Sequence, residues 1–203
     1  MKNTSPQKHR DTEKIAEEEI RKKAVAGNLS AAGFRFGIVV ARFNEFITER
    51  LLLSAHDGLL RSGAVRKDIS IIRVPGSFEI PSAARTLAET GKYNAIICLG
   101  CLLRGDTAHY DVIVNEVARG IGQSAQETGV PHAFGVLTCE TLEQAIDRAG
   151  LKMGNKGFEA ALSAVEMANL KQAVSTQRSA LSKTQKRTHP IKKRTHPIKK
   201  RKR

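Results

Sequence analysis

The sequence predicts an α/β fold in which a four-stranded parallel sheet is covered by helices on both faces. Three observations carry that prediction. Four short apolar runs rich in β-branched residues recur between residues 36 and 138, helical periodicities separate them, and glycines stand where those helices should stop. Parallel strands need crossover connections, and the intervening helical patterns supply them.

The strands are expected at 36–41, 69–74, 94–100 and 133–138. Helical patterns follow at 47–62, 81–90, 107–128 and 141–149, with a last one at 155–172. Pro81 suits the first turn of its helix. Gly63, Gly91, Gly129 and Gly150 are placed as stops.

Charge divides the 203 residues into three parts. Residues 1–26 carry 7 Lys/Arg and 5 Asp/Glu, residues 27–170 carry 14 and 15, and residues 171–203 carry 13 and none. The net charge of +14 therefore belongs to the C-terminal tail. Residues 1–26 read as a charged, flexible extension, 27–170 as the folded domain, and 171–203 as a basic, disordered tail. In the tail, Arg-Thr-His-Pro-Ile-Lys-Lys occurs at 187–193 and again at 194–200. With no aromatic residue to stack on bases, it reads as an electrostatic arm for nucleic acid or another polyanion, or as a plain solubilising tail. His189 and His196 are too loosely spaced there to predict a metal site.

Nothing approaches the roughly 20 apolar residues of a spanning helix, and the polar N-terminus has no signal-peptide core. A soluble, cytoplasmic protein without membrane contact is expected. Three cysteines do not make a disulfide framework. Cys98-Leu-Gly-Cys101 sits inside an apolar strand and reads as buried thiols rather than a redox pair. Gly120-Ile-Gly-Gln-Ser-Ala125 resembles a dinucleotide fingerprint but falls inside a helical pattern, where that loop cannot form.

The chemistry concentrates in Gly100-Cys-Leu-Leu-Arg-Gly-Asp-Thr-Ala-His-Tyr-Asp111, between the third strand and its helix. Backbone N–H groups of Gly105, Asp106 and Thr107 at a helix start would favour an anion. His109 adds an imidazole that can move a proton near neutral pH. The alternative is that Asp106 merely caps the helix and His109 lies on its surface. Ligands of such sheets bind beyond the carboxyl ends of the strands. There, Phe43 offers a flat face, while Ser77 and Glu79 offer a hydroxyl and a carboxylate, or simply cap their own turn.

Taken together, five segments resemble the 6,7-dimethyl-8-ribityllumazine synthase family. They are Gly-Ile-Val-Val-Ala-Arg-Phe-Asn-Glu-Phe-Ile-Thr at 37–48, Val-Pro-Gly-Ser-Phe-Glu-Ile-Pro at 74–81, Leu-Arg-Gly-Asp-Thr-Ala-His-Tyr-Asp at 103–111, Gly-Val-Leu-Thr at 135–138, and Glu-Gln-Ala-Ile-Asp-Arg-Ala-Gly at 143–150 leading to Gly-Asn-Lys-Gly at 154–157. The resemblance spans about 27–170 and implies a flavodoxin-like three-layer α-β-α sandwich. It also implies condensation of 5-amino-6-(D-ribitylamino)uracil with 3,4-dihydroxy-2-butanone 4-phosphate, releasing phosphate and water, with no metal or organic cofactor.

By the same resemblance, Phe43 would stack on the pyrimidine, and Ser77, Phe78 and Glu79 would hold the ribityl chain and ring edge. Cys101, Leu102 and Leu103 would contribute backbone contacts along the uracil. Gly105, Asp106 and Thr107 would form the phosphate loop, and His109 would transfer protons. Phe134 would be a second aromatic wall and Arg148 a phosphate ligand, with Lys156 a lesser candidate. The family's sites lie between adjacent subunits of a pentamer, and some members assemble twelve pentamers into a shell. The compact 148–157 segment favours the shell.

Topology adds an argument about those residues. Phe134 begins the fourth strand, whereas Phe43 and Glu79 follow the ends of theirs, so they should lie roughly 17–20 Å apart along the sheet. A neighbouring subunit must supply Phe134 if it shares the site, and Arg148 with it. Two alternatives to the enzyme use the same scaffold: a polyanion-binding shell, and a carrier of flavin- or pterin-like ligands.

Overall fold

The computed structural model describes residues 24–188. Four strands, β1 (Phe36–Ala41), β2 (Ile69–Val74), β3 (Ala95–Leu103) and β4 (His132–Cys139), form one sheet in the order β2-β1-β3-β4. All three pairings are parallel. The helices are α1 (Glu45–Arg61), α2 (Ile80–Glu89), α3 (His109–Thr128), α4 (Leu142–Arg148) and α5 (Lys156–Thr188).

Alternation along the strands sorts the core into two layers. Phe36, Ile38 and Val40 of β1 and Ile97, Leu99 and Cys101 of β3 pack with Leu51, Leu59, Ala145, Ala161 and Val165 of α1, α4 and α5. Val39, Ile96 and Cys98 face Ile80, Ala84, Val117 and Ile121 of α2 and α3. Each large aliphatic side chain fully buried here contributes about 1.5–3 kcal/mol of transfer free energy. The three-layer sandwich expected from the sequence is thus the fold observed.

Most boundaries fall within two residues of expectation, and three of the differences bear on the site or the tail. Strand β3 runs three residues further, to Leu103, because β4 pairs with it as far as Cys139. Helix α3 starts at His109 rather than near 107, with Ala108 at the cap position and no side-chain cap. Asp106 therefore does not cap it.

Helix α5 continues to Thr188, where a tail without regular structure was expected from 171. No Gly or Pro occurs between Gly157 and Pro190, and Ala, Lys, Arg and Gln all favour helix. Up to residue 177 its last buried residue is Ala168, and residues 174–177 are exposed. The tandem repeat lies almost wholly, and residues 1–23 entirely, outside the described residues. The expected N-terminal extension is described only at 24–26.

Several expectations hold in detail. Gly129 closes α3 with φ 65°, a conformation open to glycine at little cost. The Gly120–Ala125 string is helical, inside α3. All three cysteines are free and buried, and burial pushes the Cys98 and Cys101 thiols up to about 12. Among the described residues, no helix is long and apolar enough to cross a membrane.

Candidate active site

A cleft of about 300 Å³ opens beyond the carboxyl ends of β1, β2 and β3. Its walls come from three loops, which the parallel topology brings together. After β1, Arg42 N–H donates to Val74 O at 2.8 Å and Phe43 N–H to Pro75 O at 3.1 Å, prolonging the β1–β2 ladder into the loop. That rail leaves the Phe43 ring 70% exposed over the cleft.

After β2, a turn of 3-10 helix at Ser77–Glu79 presents Phe78, which is 56% exposed. Ser77 is buried beneath it, close against β3. A Cβ on Gly100 would sit 2.7 Å from Ser77 Oγ, so only glycine allows this approach. The Glu79 carboxylate does not line the cleft. It turns back to accept from Gly76 N–H at 2.9 Å, the local capping alternative weighed above.

Cys101, Leu102, Leu103, Gly105, Thr107 and His109 line the third wall. Asp106 lies in the same loop but is not part of the lining. Because α3 begins at His109, the amides of Gly105, Asp106 and Thr107 belong to the loop, and the unpaired first-turn donors lie at His109 and beyond. His109 is exposed at the cleft mouth, and among the described residues its ring has no hydrogen-bonding partner.

The other expected ligands lie elsewhere on the chain. Phe134, Arg148 and Lys156 line a separate groove of about 570 Å³ along β4. The register explains the separation. Phe134 is level with Cys98, whereas Cys139 is level with Leu103, so Phe134 lies five residues, or about 16 Å, short of the strand end. Phe134 is 48% exposed. Lys156 Nζ is paired with Glu159 at 2.5 Å, while Arg148 has no carboxylate partner among the described residues. One protomer therefore presents two separate cavities, one with an imidazole and a ring platform, the other with a ring and a guanidinium.

Three residues near the cleft were not singled out in the sequence. Asn44 adopts φ 60° and ψ 43° and donates Nδ2–H to Cys101 O at 2.8 Å. Asparagine's tolerance of that region was the available signal. Arg104 bonds Asp111 and Glu140, and its guanidinium lies over the Tyr110 ring. No spacing in the sequence signals a partner 36 residues away. The pairing holds the Asp111 carboxyl below its ordinary range. Tyr110, which also lines the cleft, has its phenol pushed up, first by burial.

The fold is that of a parallel α/β domain with a cleft at the carboxyl edge of its sheet. The sequence model for 6,7-dimethyl-8-ribityllumazine synthase matches residues 33–172. A Desulfotalea psychrophila protein named 6,7-dimethyl-8-ribityllumazine synthase is 57% identical over 150 residues, covering 74% of this chain and 97% of that protein. The chain belongs to the 6,7-dimethyl-8-ribityllumazine synthase family.

Proposed function

We propose that the chain condenses 5-amino-6-(D-ribitylamino)uracil with 3,4-dihydroxy-2-butanone 4-phosphate to 6,7-dimethyl-8-ribityllumazine, as a cytoplasmic enzyme. The observation that carries this reading is the cleft itself, where an exposed Phe43 ring, the backbone of Cys101–Leu103 and the His109 imidazole converge in a chain of this family. Phe43 stacks on the pyrimidine, and the Ser77–Glu79 turn holds the ribityl chain. The amine attacks the ketone, an imine forms, phosphate leaves, and the ring closes with loss of water.

His109 moves protons between those steps. Holding two reactants together in one cleft supplies much of the rate. The phosphate is held by the 105–107 loop and by Arg148, whose planar fork matches phosphate oxygens.

Arg148, Phe134 and Lys156 act from a second copy of the chain. The five-residue offset of Phe134 from the strand end supports this division, since one protomer cannot close it. The assembly is a ring of five, with twelve rings forming a closed shell.

A second role is favoured by charge. Residues 171–203 hold 13 Lys/Arg and no carboxylate, and α5 carries the first of them away from the buried core. This arm binds nucleic acid or another polyanion, multiplied by the number of subunits. Truncation after Gln177 removes twelve of those thirteen charges. It should leave turnover unchanged and abolish salt-sensitive binding of a single-stranded oligonucleotide. Equal binding by the truncated chain would refute the second role.

Steady-state absorbance of the lumazine product tests the enzymatic reading, using the full chain, His109→Ala and Arg148→Ala. Turnover that weakens in both variants supports it. An assembled wild-type chain without turnover would move the reading to a ligand carrier or an inactive shell.

A further inference from the structure

We propose that Arg104 is a positioning residue that sets the first turn of α3, and His109 with it. The inference rests on the reaction proposed above and goes beyond it, because Arg104 does not line the cleft.

The geometry is a clasp around the anion loop. Arg104 Nη2 and Nη1 donate to Asp111 Oδ1 and Oδ2 at 2.8 and 3.0 Å, and Nε donates to Glu140 Oε2 at 2.6 Å. The guanidinium carbon lies 4.3 Å from the centroid of the Tyr110 ring. Arg104 N–H also donates to Cys139 O at 3.0 Å. One side chain thus joins the end of β3, the end of β4 and the two residues that follow His109.

The loop needs such a clasp. Helix α3 has no side-chain cap, and its first backbone bond, Val112 N–H to Ala108 O, is long at 3.4 Å. The Asp111 fork and the Tyr110 stack supply the missing restraint from outside the helix. Only arginine provides a bidentate fork and a stacking plane together, so lysine should not substitute.

Exposed ion pairs usually contribute little, and the molecule holds its own control for that. Arg85 donates to Glu89 at 2.8 Å and to Glu127 at 2.5 Å, joining α2 to α3 away from the cleft. If Arg104 were merely another surface pair, R85Q and R104Q would behave alike.

The test is steady-state kinetics and amide hydrogen exchange on the full-length chain for R104Q, R104K, D111N, R104Q/D111N and R85Q. The expected result is a kcat at least about tenfold lower in R104Q, with KM within about threefold, since a misplaced catalytic group costs rate more than binding. R104K should not restore it. The double variant should cost little more than R104Q alone, because one interaction is lost twice. Exchange should rise over 105–111 in R104Q and not in R85Q.

A kcat in R104Q within twofold of wild type, multiplicative losses in the double variant, or equal losses in R85Q would overturn the proposal. Should R104Q fail to assemble, R104K carries the same comparison. Exchange reports on the clasp without turnover, so unchanged protection over 105–111 sinks this proposal alone. An inactive wild type instead removes the reaction on which it rests.

Discussion

The side-chain amide of Asn44 donates to the carbonyl of Cys101 over 2.8 Å and fastens the β1–α1 turn to the strand end that lines the cleft. Among the described residues, Asn44 is the non-glycine with positive φ. Asn44→Gly keeps that backbone and loses the bond, which should cost about 1 kcal/mol in urea unfolding. Asn44→Ala keeps a Cβ in the left-handed region without the amide that lets asparagine tolerate it, and should cost about 1 kcal/mol more than the glycine variant. Equal losses in the two variants would contradict the strain argument.

Gly100 lets the 3-10 turn lie against β3. In Gly100→Ala the new Cβ would meet Ser77 Oγ at 2.7 Å and Ile80 Cδ1 at 3.0 Å. The substitution should destabilise the fold by about 1–3 kcal/mol and raise KM, because Phe78 moves with the turn. Adding Ser77→Ala should recover part of both effects. No recovery would mean that the crowding is relieved elsewhere.

Phe43 stands over the cleft with little else to do. Phe43→Ala should raise KM for the pyrimidine about threefold to tenfold, the range expected for one lost ring stack. Phe43→Tyr should stay near wild type, and calorimetry should find folding unchanged in both. Unaltered KM in Phe43→Ala would place the ring outside the site.

The buried thiols give a pH dependence of known sign. Cys98 and Cys101 rise from an ordinary value near 9 to about 12 on folding, by burial. Between those values the folded chain holds more protons than the unfolded one. Their contribution is therefore complete below pH 9 and is lost as pH rises toward 12. Urea midpoints should fall across that window, and Cys98→Ala should flatten the fall. Native thiols should resist alkylation at about pH 8, since the thiolate is the nucleophile. Rapid native alkylation would contradict the burial.

What was legible in the sequence followed from local pattern. Apolar runs at 36–41 and 69–74 gave strands with the observed bounds: β1, inside the sheet, is buried throughout, whereas β2, at its edge, carries Ser70 and Arg73 and is only partly buried. The run of positive charge after 171 points to disorder, yet its residues favour helix, no Gly or Pro interrupts them before Pro190, and α5 continues to Thr188. Most of the cleft lining was also legible, since Phe43, Ser77 and His109 sit at strand ends. Asn44 and Arg104 were not, because Cys101 is 57 residues from Asn44 and Glu140 is 36 from Arg104, and no local spacing records either contact. Glu79 could be placed at the cleft or at its own turn, and the structure puts its carboxylate on Gly76.

The central claim is that one site is divided between two copies of the chain, with His109 from one and Arg148 from the other. The direct measurement is turnover after His109→Ala and Arg148→Ala subunits are unfolded together, mixed in equal amounts and refolded. If each variant is nearly inactive alone, the mixture should recover about a quarter of wild-type activity, because one site in four then receives both intact residues. A mixture no more active than its parents would show that both residues act within one protomer, or not at all.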